Sequence, residues 1–169
     1  MSLALDSGGT ARRAQPGKFL TFFLGAEEYG IEILAVHEII GMLPVTRVPR
    51  TPPFVRGVVN LRGKVIPVIG LRERFGLAPA DAETCIIVVE ARGIALGVVV
   101  DRVSEVLVVG ERDLDPPPAF GVTVHTEFLL GIAKGEGRVR LLLDLERVLT
   151  ADEWHALPGA GAGGAGAPA

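Results

Sequence analysis

Short apolar runs rich in valine and isoleucine recur along the chain, and polar turns that contain glycine separate them. Turns that recur about every eight to twelve residues predict some ten short strands. The clearest example is residues 57–70, where two apolar runs flank the turn Leu61-Arg62-Gly63-Lys64. Gly63 can adopt the positive φ that a two-residue hairpin turn requires, so we expect the turn to hold the Arg62 side chain out in solvent.

Three further hairpins and several single elements follow from the same pattern. The predicted hairpins pair Lys18–Leu24 with Glu28–Ile33, Thr84–Glu90 with Ile94–Val100, and Glu127–Ala133 with Val139–Leu143. Around Val36 the spacing fits both a helix and a strand, so we predict a helical turn that passes into a strand. The predicted single elements are a strand at Thr46–Pro49, a helical turn at Pro52–Val55, a helix at Leu71–Phe75 that Gly76 ends, and a strand at Val103–Val109.

The end of the chain is predicted to carry one more helix and a tail. Asp144 can accept a hydrogen bond from a backbone N–H of the next turn, which predicts an N-cap for a helix from Leu145 to about His155. Residues 1–17 and 156–169 lack apolar periodicity, and the second stretch is mostly glycine and alanine. We therefore predict flexible tails at both ends of a folded body.

The folded body at residues 18–155 is predicted to be mostly β. A link at about 76–83 separates five strands from five, which favours small barrels or a sandwich. Two barrels side by side suit that count, although terminal strands could cross between them.

Composition narrows the function classes. Hydrophobic residues make up 49% of the chain, and the net charge is -3 with interspersed signs, which argues against a general nucleic-acid binder. Cys85 is the only cysteine, so no disulfide framework is expected, and its apolar run predicts a buried, inert thiol. Without a signal peptide or a run of roughly 20 apolar residues, we expect a soluble cytoplasmic protein.

Candidate catalytic groups are few. His125 and Glu127 would share one face of a strand and could form part of a metal or base pair, but no third ligand with recognisable spacing accompanies them. His37 and Glu38 would point to opposite sides of a strand. Arg62 stays protonated at physiological pH, which suits recognition better than catalysis. We therefore predict no enzymatic activity and no cofactor or metal.

Charged residues cluster in the first third of the chain. Four arginines within sixteen residues follow a set of glutamates: Arg47, Arg50, Arg56 and Arg62 follow Glu27, Glu28, Glu32 and Glu38. The cluster fits an ordinary solvated surface, and it equally fits a protein-docking face in which charge steers the encounter and apolar neighbours supply affinity. The candidate apolar neighbours are Val36, Ile39, Val58 and Val59.

Five blocks of the sequence, in order and at matching spacing, strongly resemble the CheW family of bacterial chemotaxis coupling proteins. The blocks are Glu28–Ile33, Val45–Pro49, Pro53–Gly63, Val98–Val106 and Leu141–Leu149, and the resemblance covers about residues 18–155. It implies two five-stranded SH3-like β-barrels around a shared core, with a few short helices that include one near the C-terminus. Barrel lobes at roughly 18–80 and 81–155 would follow.

By the same resemblance, the protein is a scaffold without an active site. It would link the cytoplasmic tip of chemoreceptors to the regulatory domain of the CheA histidine kinase at membrane-associated receptor arrays. The positions that match receptor contacts are Val36, Glu38, Gly57, Arg62 and Gly63. Receptor contacts in the family lie near the groove between the barrels. Kinase contacts would lie on barrel surfaces away from that groove, and the resemblance assigns no residues to them.

One position departs from the family pattern. Gly70 follows the strand Val65–Ile69, where the family usually has aspartate. If that aspartate caps the following helix, glycine costs a few tenths of a kcal/mol; if it contacts a partner, pairing specificity changes. Two alternatives therefore stay open: an adaptor of a gliding or pilus array, and, from a different class, a small-barrel nucleic-acid binder.

Overall fold

The computed structural model describes residues 15–78, 83–116 and 128–158. The described part consists mainly of strands, which confirms the mostly β prediction. The strands are β1 (Gly17–Leu24), β2 (Glu27–Glu32), β3 (Val36–Gly41), β4 (Val55–Leu61), β5 (Lys64–Gly70), β6 (Cys85–Ala91), β7 (Ile94–Val100), β8 (Arg102–Val109), β9 (Leu114–Asp115), β10 (Leu129–Gly135) and β11 (Arg138–Leu143). Short α-helices lie at Leu71–Phe75 and Ala151–His155, and 3-10 turns lie at Ile33–Ala35 and Glu111–Asp113.

The strands form two sheets. The six-stranded sheet has the order β8-β1-β2-β11-β10-β9, and the five-stranded sheet has the order β3-β6-β7-β5-β4. The sixth strand, β9, is only two residues long, and the sequence pattern did not predict it. Each sheet takes strands from both of the predicted lobes, 18–80 and 81–155, because β1 and β2 pair with later strands while β6 and β7 join β3 to β5.

Three hairpins turn through the same two-residue sequence pattern, a charged residue followed by glycine. The φ angles are 53° and 86° at Arg62-Gly63, 54° and 74° at Arg92-Gly93, and 55° and 74° at Glu136-Gly137. Positive φ at both central residues is the signature of a type I′ turn, whose twist matches that of the flanking strands. The prediction of a positive φ at Gly63 is confirmed.

The main hydrophobic core lies between the two sheets. Alternate residues of β1, namely Leu20, Phe22 and Leu24, point into it, and Trp154 of the C-terminal helix is buried in the same cluster. Four aromatic rings from different elements stack in a row across this core, with centroids 5.4–5.8 Å apart: Phe22, Tyr29, Phe75 and Phe128. The core therefore holds the two sheets and both helices together.

The prediction for the last helix is wrong about its start. The Asp144 carboxylate accepts a hydrogen bond from the Glu146 N–H at 3.0 Å, but this closes a turn and not a helix. The helix begins at Ala151 after Thr150, whose hydroxyl accepts from the Glu153 N–H while the Glu153 side chain accepts from the Thr150 N–H. This reciprocal capping box satisfies two backbone donors at the start of the helix.

The remaining local predictions have mixed outcomes. The 3-10 turn that passes into β3 at Val36 and the helix that ends at Gly76 are confirmed. Only Thr46 of the predicted strand Thr46–Pro49 pairs, through two 2.9 Å hydrogen bonds with Val58. Pro52–Val55, predicted as a helical turn, forms a single turn in which the Val55 N–H donates to the Pro52 carbonyl at 2.9 Å, and Val55 is already the first residue of β4. Cys85 is half-buried, because it is the first residue of β6 and lies at the end of the sheet.

Candidate recognition surface

The five predicted receptor-contact residues lie on the two edge strands of the five-stranded sheet. Val36 and Glu38 belong to β3, Gly57 belongs to β4, and Arg62-Gly63 form the turn that follows β4. Although β3 and β4 are opposite edges of the sheet, Arg62 Nη2 donates hydrogen bonds to both carboxylate oxygens of Glu38. The sheet is therefore curled far enough for its two edges to meet at this ion pair.

This ion pair is exposed. The Arg62 side chain is 68% accessible and the Glu38 side chain is 29% accessible. The hydrogen bond with Glu38 raises the pKa of Arg62 above its usual value, so the guanidinium stays charged. The sequence correctly indicated an exposed arginine at the turn but not its partner, which comes from 24 residues earlier in the chain. A pair in this setting is screened by water and contributes little to folding.

Apolar side chains near these charges differ in their exposure. Ile39, next to Glu38, is 43% exposed, and Val65, two residues after Gly63, is 57% exposed. Val36 and Val58 are half-buried. Val59 is buried in a cluster inside the five-stranded sheet, so the suggestion that it contacts a partner is wrong. Partly exposed aliphatic residues therefore lie next to the charged pair in the sequence of β3 and of the β4–β5 hairpin.

Backbone geometry explains two of the predicted glycines. Gly57 has a φ of 140°, and a Cβ atom there would lie 2.1 Å from the Thr46 carbonyl oxygen. The loop between β3 and β4 thus rests directly on β4 at this point. The Gly63 N–H donates to the Asn60 side-chain oxygen at 2.9 Å, which fixes the turn that carries Arg62. The turn is consequently rigid, although its arginine is exposed.

Gly70 lies beneath a second ion pair. Arg56 contacts Glu73 at 2.9 Å and Glu83 at 2.7 Å. A Cβ atom on Gly70 would come within 2.1 Å of the Glu73 carboxylate and 2.6 Å of Arg56 Nε. Burial lowers the pKa of Arg56, but the hydrogen bonds with Glu83 and Glu73 outweigh burial and raise it. Glycine at this position therefore leaves room for the ion pair.

A buried ion pair that the sequence did not indicate connects the two sheets. Arg72 Nε donates to Asp101 Oδ1 at 3.0 Å and Arg72 Nη2 donates to Oδ2 at 2.6 Å, while the Gly25 N–H also donates to Oδ2 at 2.6 Å. The two charged side chains are only 11% and 8% accessible. Hydrogen bonds from Arg72 lower the pKa of Asp101 below its ordinary value of 3.8, although burial opposes this shift.

The position of Asp101 explains its role. It follows the last residue of β7 in the five-stranded sheet and precedes β8 in the six-stranded sheet. Arg72 belongs to the helix after β5, and Gly25 lies in the turn between β1 and β2. The Asp101 carboxylate thus holds elements of both sheets. A separation of 29 residues carries no local signal, so inspection of the sequence could not identify this pair.

The described residues contain no group of three histidine, cysteine, aspartate or glutamate side chains that could hold a metal ion. His37 pairs with Glu90 at 2.8 Å. The predicted candidates His125 and Glu127 lie outside the described residues. None of the described helices is both long enough and apolar enough to span a membrane.

Comparison with known proteins gives consistent matches over most of the chain. A family model, described as CheW-like domain, matches residues 18–153. The chemotaxis protein CheW of Klebsiella aerogenes is 44% identical over 138 residues, which is 80% of this chain and 83% of that protein. Protein FrzA of Myxococcus xanthus is 32% identical over 138 residues, which is 80% of this chain and 85% of that protein.

A solved structure also matches. The scaffolding protein TtCheW of Thermoanaerobacter tengcongensis is similar with a TM-score of 0.76 and 37% sequence identity, and the match covers 85% of this chain and 99% of that one. The two-sheet arrangement and the sequence blocks therefore lead to the same family. This chain belongs to the CheW family of chemotaxis scaffold proteins.

Proposed function

We propose that this protein is a non-enzymatic adaptor that couples the cytoplasmic tips of chemoreceptors to a CheA-type histidine kinase. Membership of the CheW family supports the proposal. The observation that carries it is the exposed Arg62–Glu38 pair, which a rigid turn presents beside partly exposed aliphatic side chains. Such a surface suits recognition of another protein, because charge sets the orientation and apolar contact supplies affinity.

In this proposal, the receptor tip binds the surface built from Val36, Glu38, Gly57, Arg62 and Gly63, in which Gly57 is buried and supports the loop above it. A guanidinium has five N–H donors, and Glu38 occupies only part of this capacity. Arg62 can therefore bind an acceptor on the receptor while it keeps Glu38. The two glycines act through the backbone, since Gly57 seats the loop between β3 and β4 and Gly63 completes the turn.

The kinase binds elsewhere on the barrels in this proposal, and no residues are assigned to that contact. The adaptor acts in the cytoplasm at membrane-associated receptor arrays. Gly70 is the position that keeps the alternative of a gliding or pilus array open. That glycine has a local explanation in the Arg56–Glu73 pair, so it favours the alternative less than the sequence alone suggested.

Reconstitution with the cognate receptor and kinase tests the proposal. We expect this protein to bind the kinase regulatory domain and to make kinase autophosphorylation depend on receptor. Arg62→Glu should lower receptor-dependent activity at least tenfold, because it reverses the charge offered to the receptor and repels Glu38. Kinase binding should persist in this variant.

Arg92→Glu is the matched control, because Arg92 occupies the same turn position with nearly the same φ, 54° against 53°. It should leave receptor-dependent activity close to the wild-type level. Absence of kinase binding at tens of micromolar would contradict the adaptor proposal. Equal losses of receptor-dependent activity in the two variants would contradict the role assigned to Arg62.

A further inference from the structure

Positive charge is concentrated in one segment of this acidic protein. Residues 39–72 contain five arginines, one lysine and no aspartate or glutamate, although the net charge of the chain is -3. Three of the arginines bind carboxylates from other segments: Arg56 binds Glu73 and Glu83, Arg62 binds Glu38, and Arg72 binds Asp101. The other two, Arg47 and Arg50, have no carboxylate within 4 Å among the residues that the structure describes.

Both of these arginines line a cavity in the loop between β3 and β4. The cavity has a volume of about 430 Å³ and is formed by residues 47–53 and Val55. Arg47 and Arg50 are exposed and are its only charged residues. Valine and proline side chains supply most of the remaining lining. The cavity therefore offers two guanidinium groups beside apolar walls.

Hydrogen bonds within the loop stabilise its shape. The Thr51 hydroxyl donates to the Val48 carbonyl at 2.8 Å, and the Val55 N–H donates to the Pro52 carbonyl at 2.9 Å. Arg50 adopts a φ of 64°, in the left-handed region that is uncommon for residues other than glycine. Because these hydrogen bonds restrict the loop, a ligand would lose less binding energy to ordering it.

We propose that this cavity, the Arg47–Arg50 pocket, docks an acidic segment of a protein partner through two carboxylates. Carboxylates match the planar donors of arginine, and the apolar walls suit the aliphatic part of a glutamate or a neighbouring side chain. A nucleic acid would need a longer basic face than two arginines in an acidic protein provide.

The pocket lies at the opposite end of β4 from the Arg62 turn, although its loop rests on Gly57 of the proposed receptor contact. It lies beside Val55 at the first residue of β4, whereas Arg62 follows Leu61 at the other end of that strand. Seven residues of extended chain span roughly 20 Å. The proposal thus goes beyond the adaptor function, because it adds a second interaction surface to the same barrel.

Titration of the full chain with a hexaglutamate peptide at low ionic strength, followed by NMR, tests the pocket. We expect saturable shifts confined to residues 45–58 and to the Nε–Hε signals of Arg47 and Arg50. The double variant Arg47→Glu/Arg50→Glu should weaken binding at least tenfold. Arg112→Glu, which makes the same charge change at an exposed arginine of the second 3-10 turn, should bind as wild type does.

Several results would overturn the proposal. Absence of shifts at the loop would mean that the pocket does not bind the peptide. Equal shifts around Lys18 and Arg112 would mean that positive charge attracts the peptide non-specifically. Tighter binding of inorganic phosphate or of a single-stranded oligonucleotide would mean that the site serves another class of ligand. Arg47→Gln/Arg50→Gln repeats the test if the double charge reversal unfolds the protein. No kinase or receptor is needed, so failure of the adaptor proposal leaves this result interpretable.

Discussion

Two arginine–carboxylate pairs in this protein have similar chemistry and opposite surroundings. Arg72 and Asp101 are 11% and 8% accessible and lie where the two sheets meet, while Arg62 and Glu38 are 68% and 29% accessible and lie at the edge of one sheet. The buried carboxylate also accepts a backbone N–H from Gly25. The exposed pair can exchange its partners with water or with another protein.

The difference separates a pair that stabilises the fold from a pair that is exposed and available to a partner protein. A buried charge that loses its partner remains desolvated, so removal of one member is costly. An exposed charge regains water, so removal of its partner changes stability little. Stability measurements can therefore distinguish the two roles before any partner protein is available.

The largest expected effect is at Asp101. Asp101→Asn removes the charge that compensates Arg72 and weakens the hydrogen bond from Gly25. We expect the free energy of unfolding to fall by about 3 kcal/mol, as for other buried pairs that lose one partner. Urea denaturation at neutral pH measures this loss. A change similar to that of Glu38→Gln would mean that burial does not distinguish the pairs.

A fall in pH should reveal the contribution of Asp101 to stability without a mutation. The pKa of Asp101 is lowered in the folded protein from its ordinary value of 3.8, so the folded state favours the carboxylate. Its contribution is fully present above about pH 3.8 and is lost as the pH falls through the folded pKa. The stability difference between wild type and Asp101→Asn should therefore shrink with acidification in this range. A difference that stays constant down to pH 2 would contradict this assignment.

The Arg56–Glu73 pair is intermediate, with side chains 25% and 30% accessible. Gly70→Ala should displace it, because the new methyl group would occupy the space of the Glu73 carboxylate. The Arg56–Glu83 contact can remain, so we expect a loss of about 1 kcal/mol in thermal or urea denaturation.

Gly110→Ala is the matched control for that variant. Gly110 has an extended backbone, and no atom lies within 4 Å of the position of its added Cβ. Gly110→Ala should therefore leave the stability nearly unchanged. Equal stabilities of the two variants would show that Glu73 moves aside without cost.

The smallest expected effect on stability is at Arg62. Arg62→Gln removes the charge of an exposed pair, and its midpoint of thermal unfolding should stay close to that of wild type. Receptor-dependent kinase activity should fall clearly in the same preparation. If its stability fell as far as that of Asp101→Asn, Arg62 would be a structural residue.

Structural features that depend on neighbouring residues could be predicted from the sequence. The turn at Arg62-Gly63 and the helix end at Gly76 follow from the conformational freedom of glycine, and both are confirmed. The C-terminal helix starts at a capping box, Thr150-Ala-Asp-Glu153, whose spacing is visible in the sequence, whereas the prediction rested on Asp144. A local signal for the helix start is therefore present, but at a different residue from the predicted one.

Contacts between distant residues could not be predicted in this way. The partners of Arg62 and Arg72 lie 24 and 29 residues away, and neither strand periodicity nor charge spacing specifies them. The distribution of strands between the sheets depends on parallel pairing of β2 with β11 and of β5 with β7. Such pairing is decided by packing of the whole core.

The pairing of β2 with β11 also limits how early the six-stranded sheet can finish folding while the chain is being synthesised. Arg140 lies opposite Glu28, so one edge of the first hairpin has no partner strand until almost the whole folded body has left the ribosome. Nascent chains that stop before β11 would carry that unpaired edge, which is a template for aggregation. We therefore expect truncated chains of this protein to aggregate more than its modest length suggests.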